Sequence, residues 1–167
     1  MVKWTFEDDC LAPREKIEIK YKGPDPLKVW RGLSEKLISI FESSSTNLFE
    51  RDYRWDASSD PRYFFIRTYI RKKWEKTAIY VEVILEGLQP SDPTKEGEIT
   101  IKIGGVMRTE FDLDTAFKKL PIYKGLLWLY FKIFYGNVRR GYLQFCQRGI
   151  DRLAEDLRST LAIPGAK

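Results

Sequence analysis

The chain of 167 residues contains no histidine. That absence removes Ser-His and Cys-His nucleophile activation, histidine general-base catalysis and most zinc or iron sites. Cysteine is almost as scarce: Cys10 and Cys146 stand far apart and outside any CxxC spacing, which indicates neither a metal knot nor a disulfide framework. Two buried thiols in a reducing compartment are therefore expected. The N-terminus, MVKWTFEDD, lacks the apolar run of a secretory signal and carries acids and a tryptophan in its place, which predicts a cytoplasmic protein. No Gly-rich phosphate loop, metal motif, internal repeat or low-complexity segment is found. Glu50 with Asp52, and Glu82 with Glu86, fall on common strand faces and could form an acid/base pair, but with no nucleophile beside them surface charge is the plainer use. The sequence thus points away from an enzyme and implies no cofactor or metal.

What is present fits one globular domain over residues 1–167: 43% of residues are apolar and 32% charged, enough chain for one sizeable core. The formal charge of +5 reads as a mild excess spread along the chain, more suited to a solvated surface than to a nucleic-acid footprint.

The alternation KIEIK at 16–20 predicts a first strand, ended by Gly23-Pro24-Asp25-Pro26. From Asp25 as N-cap and Pro26 at the first helical position, Leu27, Val29, Trp30, Leu33, Leu37, Ile40 and Phe41 recur at helical spacing, which predicts an amphipathic helix. Three strand-like runs follow at 47–55, 62–74 and 77–87. EITIKI and VMRTEF then flank Gly104-Gly105, a hairpin signal, bringing the expected total to about six strands. Beyond Asp114 the pattern is helical. Val138, Tyr142, Phe145, Cys146, Gly149, Ile150, Leu153, Leu157 and Leu161 form one stripe with charges mostly opposite. A single helix from Ile122 to Leu161 would be about 60 Å long, too long for a domain of this size, so a break near Gly136 or Gly141 is expected.

This order of elements, together with Asp25-Pro26 and Val29-Trp30, resembles the START-like, polyketide-cyclase-like (SRPBCC) superfamily over residues 12–161. The resemblance implies an α+β helix-grip fold, a curved antiparallel sheet of about six strands wrapped around a long C-terminal helix. It also implies an apolar cavity between sheet and helix for a hydrophobic small molecule or lipid. Two features depart from the family: a longer stretch from Thr115 to Gly136, and six strands in place of seven. The family has no universal catalytic residues, so none carries over.

Pairing residues 62–74 with 77–87 about Glu75 sets Arg67 opposite Glu82 and Tyr69 opposite Tyr80. Phe64, Ile66, Thr68 and Ile70 then share a face with Ile79, Val81, Val83 and Leu85. That face is expected to be core or cavity wall, and Phe64, Ile66, Ile79, Val81 and Val83 are the candidate ligand contacts on it. Tyr63, Phe65, Arg67, Tyr69, Arg71, Tyr80, Glu82 and Ile84 face outward. The 47–55 run could place Arg51 across from Arg67, and these two are the candidate polar ligand contacts. The alternative function is a nucleic-acid or protein-binding module using this Arg/Tyr face; against it, Glu82, or Glu50 after a one-residue slip, would neutralise the arginines, and no RNA-binding consensus is present.

The run LLWLYFKIFYG, 126–136, is about half the ~20 residues needed to span a bilayer and contains Lys132. As a helix it is apolar nearly all round, so something must cover its second side. Three readings stand for the segment 115–137. It could be core or a homodimer interface. It could be a lid over the cavity, with Leu127, Phe131 and Tyr142 as ligand contacts, Gly125, Gly136 and Gly141 giving freedom and Pro121 marking a hinge. Or residues 122–140 could make peripheral membrane contact, with Trp128, Tyr130 and Tyr135 at headgroup depth and Lys124, Lys132, Arg139 and Arg140 meeting anionic lipid.

Overall fold

A computed structural model describes residues 3–113, 115, 118 and 120–162. Asp114 and positions 116, 117 and 119 of the 115–137 segment lie outside the described residues. Six strands, β1 (Lys3–Asp9), β2 (Ile17–Pro24), β3 (Leu48–Asp56), β4 (Arg62–Lys73), β5 (Thr77–Gln89) and β6 (Glu96–Asp112), form one antiparallel sheet in the order β1-β6-β5-β4-β3. β2 also pairs with β6, so β1 and β2 share one edge of that long strand, along Val106–Asp112 and Glu96–Ile103 respectively. Helices are α1 (Leu33–Ile40), α2 (Pro121–Ile133) and α3 (Gly136–Leu161). The sheet is open, and α3 packs against one face of it. The α+β class, the six antiparallel strands and the long C-terminal helix expected from the sequence are all found.

The sixth strand is not where the glycine pair placed it. β6 runs unbroken for 17 residues through Gly104-Gly105, and the extra strand is KWTFEDD at the N-terminus. Gly105 serves close approach: a Cβ there would lie 2.7 Å from Ile150 Cδ1 and 3.0 Å from Cys146 Sγ, because α3 crosses directly over it. The helix expected from Asp25 is likewise divided. Pro26–Val29 forms a 3-10 turn, and Gly32, at φ 82°, separates it from α1. Asp25 makes no capping bond and pairs instead with Arg31. The apolar spacing still works, burying Val29, Leu33, Leu37, Ile40 and Phe41. The cysteines also require correction: Cys10 and Cys146 are bonded to each other, with Cα atoms 5.9 Å apart, and tie the end of β1 to α3.

Strand alternation sorts the faces as expected. Phe64, Ile66, Thr68 and Ile70 of β4 and Ile79, Val81, Val83 and Leu85 of β5 are all buried. The β4–β5 register is offset by two residues from the expected one, with Arg67 opposite Ile84, Tyr69 opposite Glu82 and Arg71 opposite Tyr80. An even offset leaves the faces unchanged. β3 carries a bulge between Glu50 and Asp52 that leaves Arg51 unpaired in the ladder and sets Asp52, not Arg51, across from Arg67. The expected arginine pair therefore does not form. On α3 the buried stripe is Cys146, Gly149, Ile150, Leu153, Ala154, Leu157 and Leu161, and the helical segment breaks at Phe134-Tyr135, next to Gly136.

Candidate ligand groove beneath the aromatic helix

α2 begins with Pro121, whose missing N–H costs nothing at a helix start. Of its side chains only Phe131 is buried, while Leu127 and Tyr123 are half-buried one and two turns earlier. Phe131 stacks on Phe6 of β1 with ring centroids 4.2 Å apart, meets Phe111 of β6 edge-on at 6.2 Å, and has the Arg139 guanidinium 5.4 Å from its ring centroid. Arg139 is fixed in turn by Asp8: Nε donates to Oδ2 at 2.6 Å and Nη2 donates to Oδ1. The joint between α2 and α3 is pinned where the Tyr135 hydroxyl meets Thr77 Oγ1 at 2.5 Å, which also contacts Thr109 Oγ1 at 2.9 Å. Burial pushes the Tyr135 pKa up, so this phenol stays neutral and hydrogen-bonded around pH 7. α2 is thus a limb held along one line, and its other sides are open.

Between that joint and the β4–β5 turn lies a groove of about 640 Å³, lined by Trp74, Glu75, Lys76, Phe111, Tyr130, Phe134, Tyr135, Val138 and Tyr142. Trp74 forms its floor, stacked on Tyr142 at 4.2 Å and edge-on to Phe145 at 5.7 Å. The volume is that of a small-molecule site, and the lining is aromatic and mixed in polarity, with Glu75, Lys76 and three tyrosines beside Trp74, Phe111, Phe134 and Val138. Glu75, Lys76 and Phe111 also line an adjoining cavity of about 420 Å³. Its wall carries Lys3, Arg71, Lys73, Lys76, Arg108 and Lys118 against Glu75, Glu110 and Asp112. Lys3 is paired with Glu110, Arg108 with Glu7, and Arg71 donates to Asn47 Oδ1 at 3.0 Å. Lys73, Lys76 and Lys118 make no salt bridge among the described residues. Lys76 lies over the Phe111 ring at 5.2 Å, at the boundary of the two cavities. An aromatic groove therefore opens directly onto a basic basin.

The residues singled out from sequence fall in three places. Phe64, Ile66, Ile79, Val81 and Val83 are fully buried in one cluster with Leu37, Phe41, Ile150, Leu153 and Leu157, so side chains occupy the space between sheet and helix where the cavity was expected. Gly149 shows how tight this packing is: a Cβ there would lie 2.4 Å from Phe41 Cε1. Tyr142 lines the groove, Phe131 sits at its edge against Phe111, and Leu127 is one turn further along α2. Arg51 and Arg67 lie on the outer sheet face, and Arg51 lines a further cavity of about 490 Å³ with Tyr69, Tyr80, Glu82 and Arg108, of which Tyr80 and Arg108 also line the basin. On that face Arg67 donates to Glu82 Oε1 at 2.6 Å and Arg51 stacks over Tyr69 at 5.5 Å. Arg54 over Phe65, Arg71 over Phe49 and Arg108 over Tyr80 repeat the arrangement, but Asp52 and Glu7 neutralise Arg54 and Arg108.

Sequence reading missed Trp74 and Phe111 as site residues. The available signal was the turn at Glu75-Lys76, which places Trp74 at a strand end where a large aromatic has no ladder neighbour to pack on. It also missed a charge asymmetry. From Thr115 to Ile150 the chain has seven basic residues and no Asp or Glu, while the remainder holds 22 basic against 24 acidic residues. The positive excess is therefore concentrated in the aromatic segment, not spread along the chain.

No protein-family model matches this chain, and no curated protein matches it. Among solved structures, a protein of unknown function from Staphylococcus aureus is similar over 89% of this chain and 94% of its own, at 10% identity and a TM-score of 0.24. A likeness that loose bears on neither fold nor function.

Proposed function

We propose that the protein binds an anionic amphiphile, a fatty acid or acidic lipid, non-covalently. The apolar tail lies in the groove floored by Trp74 and Tyr142, and the acidic head lies over Lys73, Lys76 and Lys118. The observation that carries this reading is the shared wall of the two cavities, where Glu75, Lys76 and Phe111 belong to both and the basin beyond holds six cations against three carboxylates. An aromatic slot alone would suit any oily molecule; a slot opening onto a net positive basin selects one with a negative end. α2 forms one side of the slot through Tyr130 and Phe134, and so acts as its lid.

We also propose a START-like relationship, supported by element order alone, with the site displaced to the end of the sheet because the core cluster fills the space between sheet and helix. The Cys10–Cys146 bond favours an oxidising environment over the reducing one expected from sequence. The nucleic-acid alternative draws less support, because the outer sheet face pairs most of its arginines with carboxylates.

Calorimetric titration with laurate tests the reading. The expected result is saturable one-to-one binding, weakened at least tenfold by Val138→Trp, which fills the groove from an exposed position. Lys73→Gln with Lys76→Gln should weaken it by about thirtyfold, in line with ~1 kcal/mol per cation near a charged group. Uptake that does not saturate, or affinity unchanged by V138W, overturns the proposal.

A further inference from the structure

The groove uses only one side of α2. Its other side presents Ile122, Leu126, Leu129 and Ile133 as a stripe at spacings of four, three and four residues, and all four are exposed, Ile122 by 77% and Leu126 by 62%. Phe134, 69% exposed, and Tyr130 widen the stripe on the groove side. Beyond its other border stand Lys132 and then Trp128, with the Lys132 ammonium 4.9 Å from the Trp128 ring centroid, while Lys124, one turn further back, has rotated to the side opposite the stripe. Arg140 and Arg148, both exposed, continue the positive charge onto α3. A helix with an outward apolar stripe and a flanking row of cations has the form of one that lies in a membrane interface.

We infer that α2 docks on the surface of an anionic bilayer, lying in the interface with Ile122, Leu126, Leu129 and Ile133 entering the acyl region and Lys132 and Arg140 meeting acidic headgroups. Charge decides between this occupant and a second copy of the chain. A two-fold dimer would set the same patch against itself. With no carboxylate anywhere from Thr115 to Ile150, the lysine and arginine of one copy would meet only those of the other. An acidic lipid surface answers both features of the patch, the apolar stripe and the single sign of its charge. Insertion stops at the interface, since no helix among the described residues is long and apolar enough to cross a membrane. Docking concerns the outward side of α2 and lipid binding the inward side; a docked lid would open its groove towards the source of its ligand, but either property can fail alone.

The test is co-sedimentation of the whole chain with vesicles of phosphatidylcholine, with and without phosphatidylserine, at low and high salt. Binding to phosphatidylserine vesicles is expected to exceed that to phosphatidylcholine alone by about tenfold or more and to weaken as salt rises. Leu126→Asp with Ile133→Asp, at positions already facing solvent, should abolish it while leaving laurate affinity in the groove unchanged. Lys132→Gln with Arg140→Gln should reduce it about fivefold or more on the acidic vesicles only. No binding to acidic vesicles, equal binding to both vesicle types, or a stable dimer whose mass falls to monomer in the L126D/I133D variant would each overturn the inference. Loss of laurate binding in V138W with vesicle binding intact would leave docking standing and locate the ligand site separately.

Discussion

α2 and the second half of α3 are both helices rich in apolar residues, yet they relate to the molecule in opposite ways. From Cys146 onward α3 buries one stripe in the core and turns Asp151, Arg152, Glu155 and Arg158, charges of both signs, away from it. α2 buries a single phenylalanine and turns its stripe outward. Their glycines differ in the same sense. Gly149 is required by Phe41, whereas a Cβ at Gly125, Gly136 or Gly141 would meet nothing within 4 Å. One helix is built for a dry protein interior, and the other leaves its apolar stripe facing solvent, where we propose that an anionic membrane meets it.

The strongest way to break the comparison is at the tether between the two. The Cys10–Cys146 bond closes 136 residues of chain, for which the loop-entropy relation gives up to about 5 kcal/mol. Thermal unfolding with and without reductant, or of Cys146→Ser, should therefore show a large loss of stability. A small shift would mean that packing alone holds α3 on the sheet. Next in size, Leu153→Ala should cost about 3 kcal/mol by opening a cavity in the core, and Leu126→Ala under about 0.5 kcal/mol, read by denaturant midpoints. Equal costs would mean that α2 is covered in the free protein. Gly149→Ala should destabilise by about 1–3 kcal/mol through overpacking against Phe41. Gly125→Ala should instead stabilise by about 0.5–1 kcal/mol, since alanine favours a helix interior and meets no obstacle there. Arg51→Ala, exposed in the β3 bulge and stacked on Tyr69, should cost about 0.5–1 kcal/mol of stability with no change in laurate binding. A change in laurate affinity there would extend the site from the basin along the outer sheet face to β3.

The layout of the fold was largely legible because alternation and helical spacing report burial directly. They located Phe64, Ile66, Val81 and Val83 in the core, and the length of the apolar segment required the break that occurs before Gly136. Where reading failed, non-local packing decided. Nothing near Gly104-Gly105 in sequence shows that Ile150 and the two sulfurs pass over them, so a packing glycine resembled a turn. The Cys10–Cys146 bond and the Phe6–Phe131 stack join residues more than 120 positions apart and leave no local trace. The groove shares that origin: Trp74, Phe111 and Tyr142 come from three separate elements, and only the register of β5 on β6 together with the turn into α3 brings them together. The single-signed charge of residues 115–150, by contrast, was visible in the sequence and is diluted to a mild +5 when the whole chain is counted at once.

The most direct measurement of the central claim is native mass spectrometry of the protein as purified from cells, followed by organic extraction of whatever accompanies it. A one-to-one adduct whose extract is an acidic lipid, absent from the V138W variant, is the predicted result. A bare monomer that also takes up no added laurate would contradict it.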